Sequence, residues 1–122
     1  MQIAGIGIDM VELERIEHLW QKKQERFISR ILSEAERQVF HRLPSERRRL
    51  EFLAGRFAAK EAFAKAAGTG IGKLRFTQIE ILPKENGAPM LRAPNYNPNG
   101  VFVSISHSKD YAIAEVIITQ QS

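Results

Sequence analysis

Two carboxylates stand where a charge is awkward without a partner. Asp9 closes the alternating segment QIAGIGID (residues 2–9), on the side where Gly5 and Gly7 leave space for a backbone or a ligand. Glu61 falls in an apolar stripe: at 100° per residue from Leu50, it shares one direction with Leu50, Leu53, Phe57 and Ala64. Desolvating a bare carboxylate is costly, so each must be paired, neutralised or bound to a cation. Lys65 lies at i+4 from Glu61 and can reach the same spot. Two such carboxylates, with waters and substrate phosphates filling the other positions, make a typical Mg²⁺ site. Lys65, the run Arg47, Arg48, Arg49 and the serine–histidine end SISHS (residues 104–108) add the parts for holding a diphosphate ester.

Each feature has a plainer counterpart. Helical Glu–Lys pairs are commoner than active sites. An Asp between a strand and a helix usually caps the helix. The arginines could be a solvated basic surface, although three of them in a first turn oppose the helix macrodipole, and an anionic phosphate would explain them. GTGIG (68–72) follows a helix and no Walker lysine loop is present, so this is not a P-loop.

The elements that must position these groups follow in order. Residues 2–9 read as a strand, and residues 12–24 as an amphipathic helix with the stripe Leu13, Ile16, Leu19, Trp20 and with Arg15, Lys22 and Lys23 exposed. RFISRIL connects to Ser33, which with Glu36 makes a capping box for a helix of about two turns through Phe40. Pro44 breaks the chain, and Ser45 caps a long Ala-rich helix that Gly68, Gly70 and Gly72 end. His18 and His41 are isolated. The pattern then turns to period two: a strand over residues 76–82, an Asn-Gly turn in KENGAP, a short return strand MLRA, the loop PNYNPNG, a strand over 101–108 and a last strand AIAEVII. In VFVSISHS, Val101, Val103, Ile105 and His107 share one face. The tail TQQS is expected to fray. The outline is α+β: an N-terminal strand, helices including a long central one, then a C-terminal antiparallel meander.

At 122 residues the chain is expected to form one domain (1–122) that leaves apolar surface for oligomerisation. It has no cysteine, which excludes disulfides and thiolate metal sites. No secretory h-region or membrane-length apolar run is present, so a cytosolic protein is expected. The net charge of +4 favours acidic partners. A basic nucleic-acid-binding module using Arg47–Arg49 would account for that charge but not for Asp9 or Glu61. A structural oligomer subunit with a Glu–Lys bridge would leave the serine–histidine strand end unexplained.

GIGIDMVELERI, LAGRFAAKEAFAKAAGTGIG and VSISHSKDYA together resemble the holo-acyl-carrier-protein synthases, the short class of 4′-phosphopantetheinyl transferases. The similarity spans essentially the whole chain in order, and the paired signature G-[IV]-D with F-x-x-K-E-x-x-x-K is specific. The resemblance implies transfer of 4′-phosphopantetheine from coenzyme A to a serine of apo-acyl carrier protein, as in fatty acid biosynthesis, with release of 3′,5′-adenosine bisphosphate. It implies that Asp9 and Glu61 ligate Mg²⁺ and that Lys65 stabilises phosphate charge or orients the nucleophile. It further implies that His107 contacts a coenzyme A phosphate while Arg47, Arg48, Arg56 and Ser108 help hold the nucleotide. Larger superfamily members carry a third carboxylate where this chain has Val11, so more water in the metal shell is expected, and water is a candidate base. Those larger members are pairs of such halves. A homotrimer is therefore expected, with Asp9, Glu61 and Lys65 from one chain meeting His107 and Ser108 of its neighbour. The acidic carrier protein is expected to dock on Arg15 and Arg26. Neither nucleic acid nor membrane is expected as a partner.

Overall fold

The computed structural model describes residues 2–68 and 74–121. Gly70 and Gly72 of the expected helix exit lie outside the described residues. Gly68 is the observed cap, at φ 75°, where glycine avoids a Cβ penalty.

Strand β1 (Ile3–Glu12) runs past Asp9, because Met10, Val11 and Glu12 continue the ladder opposite Ile113, Ala112 and Tyr111. Asp9 is thus neither the strand's end nor a helix cap; the chain enters helix α1 (Leu13–Lys23) from Glu12. Leu13 and Ile16 are buried, and Leu19 and Trp20 pack on the core. Helix α2 (Glu25–Ile31) occupies the segment taken as a connection and buries Phe27, Ile28 and Ile31. The turn into it is made by Gln24 at φ 52°. Ser33 and Glu36 form the expected capping box of helix α3 (Glu34–Arg42). Ser45 Oγ accepts from the Arg48 N–H at the start of helix α4 (Glu46–Ala67).

Phe76–Gln78 form a single 3₁₀ turn rather than the start of a strand. This turn lets Phe76 stack on Phe57, with ring centroids 5.3 Å apart. Strand β2 (Glu80–Pro83) pairs with strand β3 (Pro89–Arg92) across the Asn86-Gly87 turn. Strand β4 (Val101–His107) pairs with strand β5 (Tyr111–Thr119), and β1 adds to the other edge of β5, giving the order β1-β5-β4. The C-terminal strands therefore divide into two antiparallel hairpins, and the second takes up the N-terminal strand. The tail, expected to fray, is instead held as far as Gln121: Thr119 Oγ1 donates to Gly100 O, Gln120 N–H donates to Gln2 O, and Gln121 Oε1 accepts from the Asn97 N–H.

Helix α4 lies against the inner face of this sheet. A Cβ on Gly5 would sit 2.0 Å from Ala66 O, and one on Gly7 1.9 Å from Ala62 O. The space left by the glycines is filled by helix backbone, so strand and helix meet almost main chain to main chain. On its other sides α4 packs against α1, α2 and α3, with β2 reached through Arg56, and burial runs around it through Leu53, Ala54, Ala58, Ala59, Lys60, Ala62 and Phe63. It carries no single stripe; Phe57, assigned to one, is only half-buried. The outer face of the sheet is bare: Ile6, Ile8 and Met10 are 58%, 53% and 61% exposed, beside exposed Ile113, Tyr111 and Phe102.

Candidate active site

Alternation along β1 puts Asp9 on the inner face with Gly5, Gly7 and Val11, level with the last turns of α4. Lys65 Nζ donates to Asp9 Oδ1 at 2.9 Å and to Ile8 O at 3.0 Å. Lys65 therefore pairs with Asp9, across 56 residues of sequence, rather than with Glu61 on its own helix. Glu61 is half-buried, and its carboxyl is pushed above the usual range, first by desolvation and then by the negative charge of Asp9. Lys65 and Arg15 oppose that shift. The four charges thus share one neighbourhood at the end of α4, with Arg15 reaching it from α1.

Two mutually repelling carboxylates with hard oxygen donors fit a divalent cation such as Mg²⁺. Among the described residues no group of three or more His, Cys, Asp or Glu side chains could hold a metal. Val11 explains part of this, being a core residue, 5% exposed. A cation here would take two protein carboxylates and complete its shell from solvent or substrate.

The other expected site residues gather near the opposite end of α4. A cleft of about 230 Å³ is lined by Arg48, Glu51, Phe52, Arg56, Gly87, Pro89, Ile105 and His107, together with Leu43. Arg56 lies over the Phe52 ring, 4.1 Å from its centroid, and its Nε donates to Ile81 O. Burial lowers its guanidinium to about 10, with the Glu36 carboxylate opposing the shift. Arg48 is exposed and only 3.9 Å from Glu51. Arg47 donates to Glu51 at 3.0 Å and to Lys109 O at 2.8 Å, holding the β4–β5 turn. Ser108 serves the same turn, its Oγ accepting from the Tyr111 N–H. Arg49 leaves the cleft altogether: it donates to His41 O at the end of α3 and lies over Phe40. The arginine run is therefore split between internal carbonyls and one cleft, not laid out as a stripe that could track a nucleic acid backbone. Arg26 lies beyond α1, on a separate apolar and basic groove with Lys23, Arg30 and Phe76.

Ten residues of helix separate Glu51 from Glu61, or about 15 Å. Within one chain the carboxylate cluster and the arginine–histidine cleft are thus two separate sites.

Two features were not anticipated. Lys60 and Glu36, both fully buried, form an ion pair at 2.6 Å. Lys60 also donates to Ile31 O and Phe76 O, and Glu36 accepts from the Ser33 and Ile81 N–H groups. Burial lowers the Lys60 pKa, against the pull of Glu36. The second is Glu51, which sits among Arg47, Arg48 and His107. Nothing local in the sequence marks Lys60 as the partner of Glu36, and nothing local marks Glu51.

Comparison with known proteins is consistent along nearly the whole chain. Residues 5–116 match the family model described as ACPS, 4′-phosphopantetheinyl transferase superfamily. A holo-[acyl-carrier-protein] synthase of Geobacillus sp. is 58% identical over 121 residues, 98% of this chain and 99% of that protein. One of Oceanobacillus iheyensis is 55% identical over 116 residues, 95% of this chain and 96% of that protein. Among solved structures, a holo-(acyl-carrier-protein) synthase from Bacillus anthracis in complex with CoA (3′,5′-ADP) superposes with a TM-score of 0.88 at 47% identity, covering 99% of this chain and 100% of that one.

Proposed function

The chain belongs to the 4′-phosphopantetheinyl transferase superfamily, and from that premise we propose that it moves 4′-phosphopantetheine from coenzyme A to a serine of apo-acyl carrier protein, as in fatty acid biosynthesis. The observation that carries this is the convergence of Asp9, Glu61 and Lys65 from two distant segments. In the reaction the serine hydroxyl attacks the phosphorus bearing the pantetheine arm. A new P–O bond forms, the bond to the bridging oxygen of the pyrophosphate breaks, and 3′,5′-adenosine bisphosphate leaves with that oxygen. Phosphoryl transfer asks mainly for positioning and charge neutralisation. Asp9 and Glu61 would hold Mg²⁺, which when bound neutralises the pyrophosphate. Lys65 supplies a fixed ammonium beside them for phosphate charge or the incoming hydroxyl. With Val11 in the core, the proton goes to water in this proposal.

Arg48, Arg56 and His107 would receive the nucleotide end, with Arg47 and Ser108 shaping the turn beside them. The bare apolar face of β1, β5 and β4 is the kind of surface a second copy covers. A homotrimer would bring His107 and Ser108 of one chain to Asp9, Glu61 and Lys65 of the next. Mixing and refolding Glu61→Gln with His107→Ala chains should then recover activity, and no recovery would rule the shared site out. The acidic carrier protein would dock on Arg15 and Arg26, so rising salt should raise its KM more than that of coenzyme A. Among the described residues no helix is long and apolar enough to cross a membrane, and a cytoplasmic location belongs to the same proposal. The direct test of the activity is the mass gained by purified apo-carrier protein on incubation with the chain, Mg²⁺ and coenzyme A. An unchanged carrier mass would refute it.

A further inference from the structure

A carboxylate inside a cleft lined by arginines and a histidine is out of place as a phosphate contact unless it works on the side chains around it. The Glu51 side chain is only 15% exposed, whereas Arg47, Arg48 and His107 are 48%, 61% and 46% exposed. Its Oε2 lies 3.0 Å from Arg47 Nε and 3.6 Å from His107 Nδ1, and its Oε1 lies 3.9 Å from Arg48 Nε. One partly buried acid therefore gathers two half-exposed arginines of its own helix and the half-exposed imidazole at the end of β4. Long arginine side chains lose much rotamer freedom on binding a phosphate. An acid that already restrains them removes part of that loss before the ligand arrives. Facing Nδ1 of His107, Glu51 also leaves Nε2 as the ring nitrogen open to a ligand.

We propose that Glu51 is a positioning residue for the nucleotide end of coenzyme A, presetting His107 and Arg48 to receive its phosphates while tying Arg47 to the turn beside them. This rests on the coenzyme A assignment above. The opposite physical outcome is also defined: if Glu51 chiefly repels the phosphates, removing its charge strengthens binding.

The test uses the full-length chain and 3′,5′-adenosine bisphosphate as a calorimetric probe, with KM and kcat measured in the transfer assay. Glu51→Gln should weaken probe binding and raise the KM for coenzyme A by about tenfold. The KM for carrier protein and kcat should stay within about twofold, since neither reads the cleft. Glu51→Asp should recover part of the loss. In a His107→Gln background the Glu51→Gln effect should shrink, because the acid acts in part through the imidazole. Tighter or unchanged probe binding by Glu51→Gln overturns the proposal. So does a uniform fall in every parameter together with melting temperature, which marks a merely structural residue. A wild-type chain that binds no probe fails the coenzyme A assignment itself, whereas a binding wild type with an equally binding Glu51→Gln variant fails only the positioning role.

Discussion

Helix α4 carries two lysine–carboxylate pairs five residues apart, and they differ in almost everything except chemistry. Lys60 and Glu36 are sealed in the core, and each polar group has partners: three acceptors for the ammonium and backbone donors for both carboxylate oxygens. Lys65 and Asp9 meet at the open end of the helix, with Lys65 half-exposed and a second carboxylate, Glu61, facing them without an ion-pair partner among the described residues. The first pair joins the end of α2, the start of α3, the 3₁₀ turn and β2 to α4, and has no capacity left for a ligand. The second sets two mutually repelling carboxylates beside Lys65 and Arg15 at a half-exposed position, with Glu61 left outside any ion pair among the described residues. A saturated polar cluster is architecture; an unsaturated one has room for a cation and a substrate.

The largest effect should come from breaking the buried pair. Lys60→Ala leaves Glu36 charged and uncompensated in the core and should cost about 3–5 kcal/mol, read as a lowered urea midpoint. If Lys60→Ala unfolds at the wild-type midpoint, the pair is not the fastening described here.

Next come the site carboxylates. Asp9→Asn and Glu61→Gln should each lower kcat/KM roughly a hundredfold or more while the fold persists. Glu61→Gln should also melt higher than wild type in chelator. The folded state raises the Glu61 pKa, so ionisation is penalised in the fold. That penalty is full above the folded pKa and vanishes as pH falls below the ordinary carboxylate value. The stabilisation by Glu61→Gln should therefore be present at neutral pH and fade on acidification. A variant that melts lower at neutral pH would contradict this.

Lys65→Met sharpens the contrast with Lys60. Its pair is half-exposed, so chemical denaturation should show a change below about 1 kcal/mol, while transfer activity falls by about tenfold or more. A large stability loss with activity retained would invert the two roles. The smallest effect is that of salt: raising ionic strength shortens the Debye length below about 8 Å and should shrink the Lys65→Met stability change while sparing that of Lys60→Ala.

Signals confined to one turn were legible before the fold. The Ser33 box, the Ser45 cap, the α1 stripe and the Asn86-Gly87 turn each stand in the structure. Asp9 and Glu61 stood out because each carboxylate was locally uncomfortable, whereas Lys65 read as the partner of Glu61 and pairs with Asp9 instead. What stayed hidden depends on distant partners. The seven residues of α2 are too few for a clear period, and β1 extends past Asp9 only because β5 is there to pair with it. Glu36 read as a capping residue and nothing more, since its other partners come from 24 and 45 residues away. Glu51 carries no local signal, because His107 comes beside it only through the end of β4.

One measurement goes straight to the proposed cation between Asp9 and Glu61. The melting temperature of the wild-type chain is followed with Mg²⁺ alone, coenzyme A alone and both together, then repeated for Asp9→Asn and Glu61→Gln. At a hundredfold excess over Kd, ligand linkage adds about 2.7 kcal/mol, a shift of several degrees that should need both ligands and vanish in either variant. A full Mg²⁺-dependent shift in both variants would mean that these two carboxylates hold no common ion.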